Sequence, residues 1–317
     1  MTSASNKHTL TLAHSPDADD MVMWWPITGA RDPSGMPVDD LPTEPLITSD
    51  RFTFSPIPAD VQTLNELALK AATSSDHIGY DITAISAAVY PHIANTYQIT
   101  RGGSSFGEGY GPKVVVLAES NISSIDALIT KKNLRIVVPG LNTTAFMLLS
   151  MIVPEFTPVP MPFDRVIDTV KEGNADAGLL IHEAQLTFAS LGLRSLLDLG
   201  IWWHEHEQLP LPLGLNVLRR DLDERFGSES CAEVASLLSQ SISHAIEQRD
   251  MSKRYLLAHS ESRPEWRDDA LLEKYLSMYV SPLTADMGDI GIAALERLYS
   301  MGRSAGVVPS DVTIDPI

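Results

Sequence analysis

The sequence predicts an α/β protein of two lobes with a ligand cleft between them, and three observations lead there. Strand-like and helix-like segments alternate through the first two thirds of the 317 residues, the signature of α/β architecture with mostly parallel sheets. From about Asp221 onward the pattern turns predominantly helical. The β/α pattern also enters a second block near residue 113 and returns near residue 214. Two crossings of that kind place one lobe at residues 8–112 plus 214–317, with the C-terminal helices, and the other at 113–213. In such a molecule the ligand sits between the lobes.

The elements follow in chain order. HTLTLAHS alternates apolar and polar residues and reads as a strand; DDMVMWWPITG begins a helix. Residues 31–50 are rich in Pro, Asp and Ser and read as a long surface loop. FTFSPIP is a strand, and DVQTLNELALKAA a helix with Val61, Leu64, Ala68 and Ala71 on one face. YDITAIS is a strand, SAAVYPHIA a short helix, and KVVVLAE a strand. LRIVVPG leads through LNTT into the apolar helix AFMLLSMIV. FTPVPMPF is a strand, RVIDTVKEGN a helix and AGLLIH a strand. WWHEHEQLPLPLG reads as an acidic exposed loop. The helices CAEVASLLSQSISHAIEQ, ALLEKYLSMYV and IGIAALERLYSMG close the chain.

Composition narrows the partners. Hydrophobic residues make up 44 % and charged residues 20 %, ordinary for a globular protein. Forty-one acidic against 23 basic residues give a net charge of −18. Such a surface repels nucleic acid and anionic membranes, which are set aside as partners. The single cysteine, Cys231, rules out a disulfide framework and reads as a structural thiol. The N-terminal stretch lacks the apolar core of a signal peptide. No stretch approaches the ~20 apolar residues of a membrane span, so the expected location is the cytoplasm.

Chemistry concentrates at strand and helix ends. In PGLNTTAFMLL, Thr143 and Thr144 fall at a helix N-terminus, where unpaired N–H groups suit a carboxylate; one threonine there also serves as a plain cap. The strand of AGLLIH delivers His182 at its carboxyl end, where open α/β sheets place ligands. An imidazole there is either a general base or a structural histidine, and Glu183 either orients it or caps the next helix. Asn65 interrupts the apolar face of its helix and needs a partner, from protein or ligand. Ser86 is a polar group at a strand terminus. Gly102 to Gly111 form a glycine-rich crossing that fits neither a phosphate loop nor a dinucleotide fingerprint.

Asp17, Asp19 and Asp20 in HSPDADDMVMW sit where a strand becomes a helix, and carboxylates suit the positive end of its dipole. Asp17 or Asp19 would cap, with Asp20 in the first turn. His204 and His206, two residues apart, lack the further ligands that zinc requires. No metal site is expected at either place.

In order and spacing, SPDADDMVMWW, DVQTLNELAL, YDITAISAAVYPHIANTY, GEGYGPKVVV, VVPGLNTTAFMLLS, AGLLIHEAQLTF, LPLPLGLNVLRRDL and YVSPLTADMGDIGIAALERL resemble the menaquinone-biosynthesis family of the futalosine pathway. The likeness spans nearly the whole chain except its first residues and the 31–50 loop. It implies a fold like that of type II periplasmic binding proteins. It also implies conversion of cyclic dehypoxanthinylfutalosine to 1,4-dihydroxy-6-naphthoate without metal or organic cofactor. The resemblance makes His182 the base, assigns Thr143 and Thr144 to the substrate carboxylate, and adds Asn65 and Ser86 to the site. Ser15 and Asp20 face the same cleft and are expected to touch substrate.

The chain departs from that family at the first junction. SPCPNDTF-like sequences have a cysteine and an asparagine where this chain has Asp17 and Asp19, and a lysine is frequent at Ala84. Two other readings share the fold: a solute-binding protein, which predicts an export signal, and the sister chorismate dehydratase, against which LPLPLG and the IHE segment argue. The expected partner is a small-molecule carboxylate; the oligomeric state is left open by the sequence.

Overall fold

The computed structural model describes residues 7–74, 76–77, 79–261, 263–309 and 312–317. The first sheet starts with β1 (His8–His14), β2 (Phe52–Pro58), β3 (Ile82–Ser86), β4 (Tyr97–Ile99) and β5 (Ser105–Gly107). The chain then builds a second sheet from β6 (Lys113–Leu117), β7 (Arg135–Val138), β8 (Thr157–Pro160), β9 (Ala177–Leu180) and β10 (Leu193–Asp198). It returns to the first with β11 (Leu211–Arg219). Strand orders are β2-β1-β3-β11-β4, with β5 also on β11, and β10-β6-β9-β7-β8. Each sheet is the centre of one lobe.

The sheets are not mostly parallel, as alternation alone suggests. β1 is parallel to β2 and β3, and β7 to β8 and β9. But β11 runs antiparallel to β3, β4 and β5, and β6 antiparallel to β9 and β10. The reason is connectivity. β6 and β11 arrive from the other sheet, so no helical crossover within one sheet dictates their direction. The glycine-rich stretch 101–116 accordingly contains a strand, β5, before it crosses.

The helices are α1 (Ala18–Thr28), α2 (Val61–Thr73), α3 (Tyr90–Ile93), α4 (Ile125–Ile129), α5 (Thr144–Ile152), α6 (Val166–Lys171) and α7 (Ala184–Thr187). They continue as α8 (Leu199–Glu207), α9 (Leu222–Phe226), α10 (Ser230–Glu247), α11 (Arg249–Ala258), α12 (Asp269–Tyr279), α13 (Pro282–Ala285) and α14 (Gly288–Ser304). WWHEHE is therefore helical, not loop. Asp198 caps α8 by accepting from the Gly200 and Ile201 N–H groups, and Gln208 ends it in the left-handed conformation. His204 and His206 are exposed on that helix.

Position is set mainly by burial. α1 is buried on nearly every side, as expected of a helix apolar all round, and packs on α10, α11 and α12. That wall of C-terminal helices fixes the β1–α1 junction at the cleft. Cys231 is buried at the start of α10, its thiol turned toward the Arg219 and Arg220 carbonyls. Among the described residues no helix is long and apolar enough to cross a membrane.

Candidate active site

A cavity opens between the two sheets. Ser15 and Asp20 reach it from the β1–α1 junction, Ser86 from β3, Thr143 and Thr144 from the start of α5, and His182 from the end of β9. Six of the seven residues that the resemblance and the cleft assign to the site thus meet at one place. Strand ends and helix starts converge here because parallel β-α units turn at the carboxyl edge of the sheet. Leu213, Leu215, Ile85, Ala84 and Ile181 supply apolar walls.

His182 follows the fully buried run of β9 and adopts φ 52°, a left-handed conformation uncommon outside glycine. Its Nδ1 lies 2.8 Å from Asp17 Oδ2. An ionised carboxylate only accepts, so Nδ1 carries the proton. Nε2 is buried without a protein hydrogen-bond partner, and Phe163 packs edge-on against the ring at 4.8 Å. Burial pulls the imidazole pKa down, but attraction and hydrogen bonding from Asp17 outweigh it and leave it raised. Burial conversely pushes Asp17 up, and His182 outweighs that and holds it low.

The aspartates divide their work. Asp17 caps α1 by accepting from the Asp20 N–H, and it also accepts from the Ser15 hydroxyl at 2.9 Å. Asp20 accepts from the Ser15 N–H at 2.7 Å; burial, then the nearby Asp17 charge, push it up to about 8. Asp19 accepts from the Tyr275 hydroxyl at 2.7 Å, and burial with the Asp17 and Asp20 charges drives its pKa well above the usual range. Glu183 stands at the N-cap position of α7, but its side chain makes no capping bond and none to His182. Its Oε1 accepts from Trp266 Nε1 at 2.9 Å, and burial raises its pKa.

Both threonines are bonded within the protein, one of them as the cap that the sequence allowed. Thr143 is the cap of α5: its hydroxyl accepts from the Phe146 N–H and donates to the Gly140 carbonyl. Thr144 accepts from the Ala88 N–H and donates to the Leu213 carbonyl at 2.8 Å. Both hydroxyl protons are used within the protein. The donors left for an anion are the Thr144 and Ala145 N–H groups in the first turn of α5, which have no intrahelical partner. Asn65 stands behind the cavity wall. Its Oδ1 accepts from the Ser86 N–H at 2.8 Å, and its Nδ2 donates to Ser86 Oγ at 3.0 Å and to the Asn142 carbonyl at 3.3 Å.

Comparison with known proteins assigns the family. A family model described as menaquinone biosynthesis matches residues 10–304. The chain belongs to this menaquinone-biosynthesis family. The 1,4-dihydroxy-6-naphthoate synthase of Thermus thermophilus is 30 % identical over 298 residues, covering 94 % of this chain and 95 % of that protein. A protein of known structure from Archaeoglobus fulgidus is 35 % identical, with TM-score 0.76, over 96 % of this chain and 100 % of its own. A Candida albicans protein described as having the generic periplasmic binding protein fold matches with TM-score 0.64 at 10 % identity, over 96 % of this chain and 92 % of its own. The last likeness shows the fold alone.

For this menaquinone-biosynthesis protein, then, the cavity offers a basic nitrogen, a carboxyl group neutral near pH 7, and the start of a helix able to hold an anion. Proton removal at one end of a bound carboxylate is the chemistry such a set can do. Sequence reasoning found most of these groups but not their pairings. Asp17 with His182, Asp19 with Tyr275 and Glu183 with Trp266 join segments far apart in the chain. Their only local trace was a set of ionisable residues at an element junction. Among the described residues no group of three or more His, Cys, Asp and Glu side chains is arranged to hold a metal ion.

Proposed function

We propose that the chain is a lyase converting cyclic dehypoxanthinylfutalosine to 1,4-dihydroxy-6-naphthoate, with His182 as general base. The observation that carries this reading is the state of His182, which lines the cavity: Nδ1 is bound to Asp17, while Nε2 is buried with no protein partner. A substrate carboxylate at the start of α5 would be held by N–H groups, with Ser15, Ser86 and Asp20 around it. Thr143, Thr144 and Asn65 hold those groups in place. Proton removal by Nε2 starts elimination and ring fragmentation, and aromatisation supplies the driving force. The protein need mainly position substrate and move protons. The reading calls for no metal or organic cofactor and places the enzyme in the cytoplasm. Lobes of residues 8–112 plus 214–317 and of 113–213 would close to exclude water.

The test is incubation of the purified protein with the cyclic substrate, followed by mass analysis. Naphthoate is expected from the wild type and not from His182→Ala. Tight binding without turnover would identify a binding protein instead, and turnover by the variant at the wild-type rate would remove His182 from its role.

A further inference from the structure

We infer that Asp17 is the positioning residue of His182, holding the imidazole from across the cleft with Nδ1–H toward itself and Nε2 toward substrate. The inference deepens the reading of His182 as base and rests on it. Asp17 follows β1 of the first sheet and His182 follows β9 of the second, so their 2.8 Å contact spans the two lobes. Both partners are fixed. Asp17 is buried, bonded to the Ser15 hydroxyl, and pinned as the cap of α1. His182 is set by its left-handed backbone and the edge of Phe163.

Other charged groups face the imidazole without replacing Asp17. Glu183 and Asp20 are near enough to interact with it, but their carboxylates accept from Trp266 Nε1 and from the Ser15 N–H. Arg263 acts in the opposite direction, disfavouring the imidazolium. When Nε2 takes a proton from substrate, that proton stays on Nε2 and the Nδ1 proton remains on the ring, facing Asp17. The pair leaves His182 a stronger base than burial alone would allow. Because its members sit on different lobes, separating the lobes would withdraw the carboxylate, and the base is complete only with the cleft shut.

The discriminating variant is Asp17→Asn, which keeps size and helix-capping ability but removes the charge and offers an N–H₂ as readily as a carbonyl. Nitrogen NMR of labelled histidine reads the tautomer and titration of His182, and steady-state kinetics read turnover. In the wild type the neutral ring should carry its proton on Nδ1. In Asp17→Asn the titration midpoint should fall, the acidic limb of kcat/KM should move down with it, and kcat should drop on the order of 10²-fold with KM within about threefold. An unchanged midpoint, or a wild-type ring protonated on Nε2, overturns the inference. The tautomer is read on the wild-type chain, so a variant that does not fold leaves the test intact. If the wild type turns over no substrate, the proposed function falls while the NMR measurements still decide the pair.

Discussion

Replacing Asn65 by alanine removes three hydrogen bonds from a fully buried position. Taking the Asn65 acceptor away from the buried Ser86 N–H costs about 1–3 kcal/mol. The Asn142 carbonyl is half-buried, so water takes over part of its bond and the loss is about 0.5–1.5 kcal/mol. The Ser86 hydroxyl lines the cavity and can turn to solvent or ligand. Together these come to about 1.5–4.5 kcal/mol, a large share of the ~5–15 kcal/mol that holds a typical domain folded. Urea unfolding followed by tryptophan fluorescence measures this directly against the wild type. Because Asn65 stands behind the wall and not in it, kcat should change little. KM should rise modestly, since α2 and the Asn142 loop lose a tie. If Asn65→Ala cost less than about 0.5 kcal/mol while KM rose on the order of tenfold, the amide would belong to the substrate, and the structural argument would be wrong.

Four further outcomes are expected. His182→Asn, chosen because asparagine tolerates the left-handed backbone, should lose at least about 10²-fold in turnover with an unchanged circular dichroism spectrum. In the wild type, kcat/KM should rise with pH through a midpoint above the ordinary 6.5, because a protonated imidazole accepts no proton; a midpoint below 6.5 would contradict the Asp17 contact. Asp20 has a folded-state pKa of about 8 against an ordinary 3.8, so the folded chain binds the extra proton between them and stability falls as pH rises through that window. Asp20→Asn removes this dependence, and its stability relative to wild type should improve steadily from pH 4 to 8 in unfolding curves. Thr143→Ala removes the α5 cap and should cost about 1 kcal/mol in stability and raise KM; Thr143→Ser should restore both.

The parts of the fold legible in the sequence are those governed by local chemistry. β1, β3 and β9 announce themselves by alternating or continuous apolar runs, and α5 by a threonine cap before an apolar helix. β11 was hidden because Pro212 and Gly214 resemble a turn, yet the strand tolerates them by slipping register between those residues as it pairs with β5. α8 was hidden by its polar histidines and glutamates, although Asp198 at its start was a usable signal. The site follows the same division. Positions such as His182, Ser86 and Thr144 were visible as polar residues at element ends. What each side chain bonds to depends on how the lobes meet, which no local pattern encodes.

Gly140, at the end of β7, has a consequence for how long the protein keeps what it binds. Its backbone φ is 155°, and a methyl group there would stand 2.3 Å from Gln62 Oε1 on the facing helix. That oxygen accepts from the Asn142 N–H at 3.0 Å, tying α2 of one sheet to the loop of the other. Alanine at 140 would therefore act as a wedge, dislodging one clasp while leaving untouched every group that lines the inner cavity. Residence time of a bound molecule could then be shortened independently of the chemistry, by a single carbon atom placed outside the reaction chamber.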